Sequence, residues 1–189
     1  MIATHRAVRL IERNAYAYRR QWWLFLTGFV EPILFLLSIG LGVGELVGDI
    51  PFGGESVSYK EFVAPGLLAT SAMMGAVLDT TFNFFVKFKY TKTYDAMLAT
   101  PLSPSDLATG EIAWALGRGG VYAAGFLVTM LFFGLVVSWW AVLAVPVAVL
   151  IGFAFAGAGL AGSTYMRSFM DFDYVNMAIM PLFLFSATF

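Results

Sequence analysis

The sequence contains no cysteine and a single histidine, His5. Disulfides, thiolate metal sites and cysteine nucleophiles are therefore excluded. His5 sits in an arginine-rich segment, where a lone imidazole reads as a solvated or interfacial side chain rather than a ligand. Charge is scarce as well. Charged residues make up 12% of the 189, about half the roughly 25% usual in soluble domains. No G-x-x-x-x-G-K-[ST] occurs, so nothing here can cradle the phosphates of ATP. Gly40-Leu41-Gly42-Val43-Gly44 lies in an apolar run and lacks the lysine. There is no fixed-period repeat and no low-complexity linker. No cofactor, metal or nucleic-acid partner is expected, and no enzymatic activity of the chain's own.

What is abundant is hydrocarbon. Hydrophobic residues make up 60% of the chain, and its mean hydropathy is +0.80. A soluble core of this size could not hide that much apolar surface, so lipid is the predicted solvent. The net charge of −1 is uninformative, because the charges are segregated rather than mixed.

Residues 3–21 carry Arg6, Arg9, Arg13, Arg19 and Arg20, interleaved with Val8, Leu10, Ile11, Ala15 and Tyr18 at helical spacing. This predicts an amphipathic helix on the membrane surface, with a basic stop before the first span as the alternative. The apolar run that follows is too long for a signal h-region, and no small-residue cleavage site follows it. Spans are predicted at 22–47, 62–86, 111–137, 141–163 and 175–189. The first opens on interfacial Trp22 and Trp23 and should bend at Pro32. In the fourth, Gly152/Ala156 and Ala158/Gly162 offer small residues four apart, a spacing that lets helices approach closely in lipid. From Val175 only about 22 Å of helix remains, short of a roughly 30 Å hydrocarbon core. The expected fold is thus all-α and polytopic: one interfacial helix and about five transmembrane helices, with a sixth span missing.

Basic residues alternate between connections: five at the N-terminus, one in 48–61, three in 87–110, none at 138–140 and one in 164–174. The positive-inside rule places the N-terminus and 87–110 in the cytoplasm, and 164–174 with them on weaker grounds.

The region 87–110 is the longest polar interruption. Tyr94–Thr100 places Tyr94, Met97 and Leu98 on one side and Asp95 on the other, and is too short to be a stable helix by itself. Pro101 ends it. Ser103-Pro104-Ser105-Asp106 then predicts a helix start, with Ser103 as N-cap and Pro104 at the first helical position. The third membrane helix should therefore begin well before its lipid-embedded part.

Glu31, Asp79 and Arg118 fall inside predicted spans, each roughly 10–14 Å from the cytoplasmic end at 1.5 Å per residue. An unpaired charge near a span's centre costs roughly 2.5–3.5 kcal/mol on insertion scales, so a buried cluster is expected. Glu111, two turns from Arg118 on the same face, could join it.

The segment KYTKTYDAMLATPLSPSDLATGEIAWALGRG closely resembles the corresponding segment of ABC-2 type transporter permeases, above all the nodulation-factor and daunorubicin-type exporter branch. Glu31-Pro32, Phe62-Val63-Ala64-Pro65-Gly66 and Pro181-Leu182-Phe183-Leu184-Phe185-Ser186 agree with that family in order. The resemblance implies a permease in the plasma (inner) membrane of a bacterium, paired with a second permease copy, most simply an identical one, and with two ATP-hydrolysing subunits. It implies that Tyr94, Asp95, Met97, Leu98 and Pro101 belong to a coupling segment that docks on the ATPase. It further implies an amphipathic substrate: a lipid-linked saccharide, a glycolipid or a hydrophobic drug. The family pattern continues with a re-entrant segment and a sixth span, which this sequence lacks.

Two other functions fit parts of the sequence. A proton-coupled secondary transporter would use Glu31 and Asp79, but the internal inverted symmetry expected of one is not visible. A membrane-embedded lipid-modifying enzyme would need a constellation at a membrane face. Asp171, Asp173 and Arg167 are the only close candidates for it.

Overall fold

The computed structural model describes residues 2–19, 30, 33–34, 36–52, 55–136 and 138–185. Most of the predicted first span, including Glu31-Pro32, lies outside them. The chain is an all-α polytopic membrane protein with one small β-hairpin among the described residues.

Helix α1 (Ile2–Arg19) is followed, beyond the undescribed stretch, by a π-helical segment, Ser38–Val43, and the short α2 (Gly44–Val47). Gly48, at φ 71°, ends α2 in a backbone conformation that a side chain would strain. Strands β1 (Asp49–Phe52) and β2 (Glu55–Ser58) then pair antiparallel, with Ile50 opposite Val57. The composition of this stretch suggests only a polar loop. The alternation of Ile50 and Phe52 with Asp49 and Pro51 is the period-2 pattern behind the hairpin.

Helix α3 (Tyr59–Leu78) starts three residues before the predicted span because Ser58 caps it. Its hydroxyl accepts from the Glu61 amide, and the Glu61 carboxylate accepts from the Ser58 amide. Two π turns, Asp79–Asn83 and Val86–Tyr90, extend α3 to a continuous helix of 32 residues. Lys92, at φ 48°, turns the chain into α4 (Thr93–Leu98). Helix α5 (Pro104–Phe132) begins as the sequence predicts. Ser103 Oγ accepts from the Asp106 amide at 3.2 Å, and Asp106 Oδ2 accepts from the Ser103 amide at 3.1 Å. Ser103→Ala should therefore cost about 1 kcal/mol, read as a small fall in Tm with the fold intact. At the other end Gly134, at φ 68°, reverses the chain while the Leu135 amide donates to Met130 O, closing off the last turn of α5.

A 3₁₀ turn (Trp139–Leu143) leads into α6 (Ala144–Tyr165), and another (Phe169–Asp171) into α7 (Phe172–Leu184). Among the described residues three helices are long and apolar enough to cross a membrane: Tyr59–Tyr90, Pro104–Phe132 and Trp139–Tyr165.

Helices α3, α5 and α6 pack against one another as a triangle, and α1 lies against α5. The α6 face that packs inward is Ala148, Gly152, Ala156 and Ser163, small residues that bring backbones close. Ala158 and Gly162 point outward instead. Among the described residues the apolar interior divides into two clusters. One joins Leu36, Tyr59, Val63, Leu67, Phe126 and Met130, with Ile50 of the hairpin packed on it. The other joins Leu10, Phe84, Tyr94 and Leu107, with Met97 and Leu160 at its margin. Large side chains such as Leu46, Phe132, Leu150 and Phe153 are exposed on the outer surface, as lipid-facing positions of a membrane bundle are.

Candidate functional site

Among the described residues, two charged centres lie inside the bundle, one above the other along α5. The first is the ion pair of Asp79 and Arg118, which joins α3 to α5 with both side chains largely buried. Asp79 also accepts from Asn83 Nδ2 at 2.7 Å. Arg118 donates to Tyr18 Oη at 3.1 Å and lies over the rings of Tyr18 and Tyr122 at 5.3 and 5.9 Å. Tyr18 belongs to α1 and also packs on Trp114, with ring centroids 5.3 Å apart. One guanidinium therefore serves three helices. Its charge is matched by a carboxylate, and its planar face is covered by aromatic rings. Glu31, expected in the same cluster, lies outside the described residues.

The second centre is Glu111, two turns nearer the α4 end of the bundle. Lys87 Nζ donates to both of its carboxylate oxygens, at 2.8 and 3.0 Å, and Asn14 Nδ2 donates to Oε1 at 3.4 Å. The carboxylate is thus satisfied by α1 and the tip of α3, with Lys87 as its cationic partner.

Asn14 and Tyr18 follow Leu10 at intervals of four. The α1 face Leu10–Asn14–Tyr18 is turned toward α5, while Val8 and Ala15 are exposed. Part of the face expected against lipid is therefore a protein contact. The approach is close: a Cβ on Gly110 would lie 3.1–3.2 Å from Leu10 side-chain atoms. Asn14, Tyr18, Asn83 and Lys87 belong to no motif that marks them. The i, i+4 spacing of polar residues on a helix face is the only sequence signal they carry.

Below these centres sits α4. Tyr94 is 1% exposed, its ring 5.0 Å from that of Phe84. Met97 packs partly against the same cluster. Asp95, Leu98 and Pro101 are exposed. The five residues of the predicted coupling segment therefore split into an inward pair and an outward trio, so Tyr94 is not on the open face. Across the tip of α3, Phe85 packs edge-on against Phe169 and Phe172, and Tyr90 stacks on Phe169 at 4.7 Å.

Asp171 has a structural task. It accepts from the amides of Arg167 at 2.6 Å and Ser168 at 3.1 Å, and these bonds hold its carboxyl below the usual carboxylate range. Among the described residues no three His, Cys, Asp or Glu side chains converge on a possible metal position.

Residues 6–189 match the ABC-2 type transporter family. The chain belongs to that family. The ABC-2 chain is 33% identical over 181 residues to nodulation protein J of Rhizobium leguminosarum bv. viciae, spanning 94% of this chain and 68% of that protein. With nodulation protein J of R. leguminosarum bv. trifolii it shares 36% identity over 181 residues, 94% of this chain and 67% of that one. The inner membrane transport permease YadH of Escherichia coli K12 is 26% identical over 178 residues, 90% of this chain and 65% of YadH. No solved structure matches. This ABC-2 chain is accordingly a membrane transport permease of a bacterial membrane, and its two polar centres and its α4 segment are features of that permease.

Proposed function

We propose that the chain is the permease subunit of an ATP-driven exporter, coupled through α4 to ATP-hydrolysing subunits on separate chains. It works with a second permease copy, and its N-terminus and 87–110 lie in the cytoplasm. The observation that carries this reading is the construction of α4. A six-residue helix is far too short to persist unaided. Here it is rooted in the permease by Tyr94 and Met97, while Asp95, Leu98 and Pro101 face outward together. A rigid foot with an open, mixed apolar and acidic sole suits a protein partner. The sequence contains no phosphate-binding loop of its own, so the partner supplies the ATPase.

The substrate class is amphipathic: a lipid-linked saccharide, a glycolipid or a hydrophobic drug. A cleft of about 280 Å³ between α3 and α7 supports this, lined by Met74, Leu78, Phe82, Phe172, Val175 and Asn176. Its walls are hydrocarbon and aromatic, with Thr81 and Asn176 as the polar members, a surface for acyl or ring systems rather than for ions.

Leu98→Asp tests the docking. Leu98 is 40% exposed, so the substitution disturbs the sole without opening the core, whereas Met97→Asp would damage both. The expected result is loss of ATPase copurification from membranes with the permease's own Tm unchanged. Undiminished ATPase binding would sink the coupling role.

A further inference from the structure

The outer surface of the bundle changes character at one level. Helix α5 exposes no large apolar side chain between Pro104 and Gly120, and then exposes Val121, Val128, Leu131 and Phe132. Helix α6 does the same in reverse: Val147, Leu150 and Phe153 are exposed, and from Ala154 to Thr164 no large apolar side chain is. On α3 the last exposed hydrocarbon side chain is Phe82, one turn past Asp79. Asp79 pairs with Arg118, and Gly159 of α6 lies directly against Thr80, so the three changes fall at one height. Length agrees. The 32-residue helix Tyr59–Tyr90 is about 47 Å long, against a roughly 30 Å hydrocarbon core. At 1.5 Å per residue Asp79 lies about 30 Å from Tyr59, and Gly159 about 29 Å from the exposed Trp140.

Only the last turn of α1 reaches that height. The helix runs alongside α5 in the same direction: Leu10 lies against Gly110, Asn14 bonds Glu111 and Tyr18 bonds Arg118. Arg19 is exposed and level with Arg118, and among the described residues no carboxylate pairs with it. Arg9 lies about 15 Å farther toward α4 and is already paired with Glu12 at 3.2 Å. We propose that the membrane surface on the α4 side crosses the bundle at the Asp79–Arg118 pair, and that Arg19 there binds the phosphate of a phospholipid headgroup. The pair then belongs to the headgroup layer, rather than lying roughly 10–14 Å inside the hydrocarbon as the predicted spans place it. Residues 104–117 of α5, about 21 Å of helix, project beyond the hydrocarbon. The planar guanidinium of Arg19 matches a phosphate group, and an anionic lipid surface attracts it further.

The sequence has no cysteine, so each added one carries the sole nitroxide label. Labels go on Gly117→Cys and Val128→Cys in α5 and on Gly162→Cys and Leu150→Cys in α6, with the permease in phosphatidylcholine–phosphatidylglycerol liposomes. An added Cβ meets nothing within 4 Å at either glycine, so both positions accept the change. The ratio of collisions with oxygen to collisions with a water-soluble nickel chelate reads depth even where a neighbour shields the label. Nickel should dominate at positions 117 and 162, and oxygen at 128 and 150. Oxygen dominating at 117 overturns the placement, because a span opening at Glu111 would sink that position about 9 Å. The Arg19 contact is read from Tm in nanodiscs with and without phosphatidylglycerol. The gain from the anionic lipid should vanish in Arg19→Gln and persist in Arg9→Gln. Equal gains in the two variants, or an equal gain from inorganic phosphate in detergent, overturn the contact.

Discussion

Arg118→Ala is expected to cost the permease about 3–5 kcal/mol, the usual penalty for stranding one partner of a buried pair. Three losses coincide. Among the described residues Asp79 keeps only the Asn83 amide as a donor, Tyr18 loses the cation above its ring, and α1 loses its Tyr18 hydrogen bond to α5. The fall should appear as a large drop in Tm in detergent and as faster proteolysis of α1. Asp79→Asn strands the cation instead, and should be milder because Arg118 keeps Tyr18 Oη as an acceptor and the rings of Tyr18 and Tyr122 beside its face. The exchanged pair Asp79→Arg with Arg118→Asp should recover a measurable part of the stability lost in either single variant. No recovery would show that the surroundings of each position matter more than the pairing.

Gly159→Ala should also destabilise strongly, by about 1–3 kcal/mol, because the α3–α6 crossing leaves no space for a methyl group. An added Cβ would collide with Thr80 Oγ1 and lie 3.2 Å from Thr81 Cγ2. Neither threonine can readily give way. Both are buried, and their hydroxyls donate to the carbonyls of Ala76 and Val77 at 2.8 and 2.6 Å. Gly162→Ala, one turn on, meets nothing within 4 Å. It should be neutral or gain a few tenths of a kcal/mol from helix propensity. Parallel thermal melts of the two variants decide the matter, and equal melts would show that the crossing is loose.

The elements legible in the sequence are those whose cause is local. Ser103-Pro104-Ser105-Asp106 names the start of α5 because a cap, a proline and an acid act within one turn. Ser58-Tyr59-Lys60-Glu61 contains the same S-x-x-E signal, and it fixes the start of α3 where hydropathy alone points to Phe62. Hydropathy locates lipid but not protein neighbours. It therefore cannot tell which side of α1 meets α5, nor that Ala148, Gly152 and Ala156 pack inward while Gly162 points away. Charge depth brings Asp79 and Arg118 to one level, since both are counted along known helices. Lys87 as the partner of Glu111 is a different matter: two π turns in α3 rotate its tip by an amount that no 3.6-residue count supplies.

Those π turns also bear on how the tip of α3 meets its neighbours. Phe84 and Phe85 are neighbours in sequence, and both are buried, yet they serve different parts of the molecule. Phe84 meets Tyr94 of α4, and Phe85 meets Phe169 and Phe172 at the start of α7. The tip thus acts as a rivet through two plates. Neither plate can slide far without dragging the rivet, so α4 and the entry to α7 are expected to move in step rather than as independent flaps.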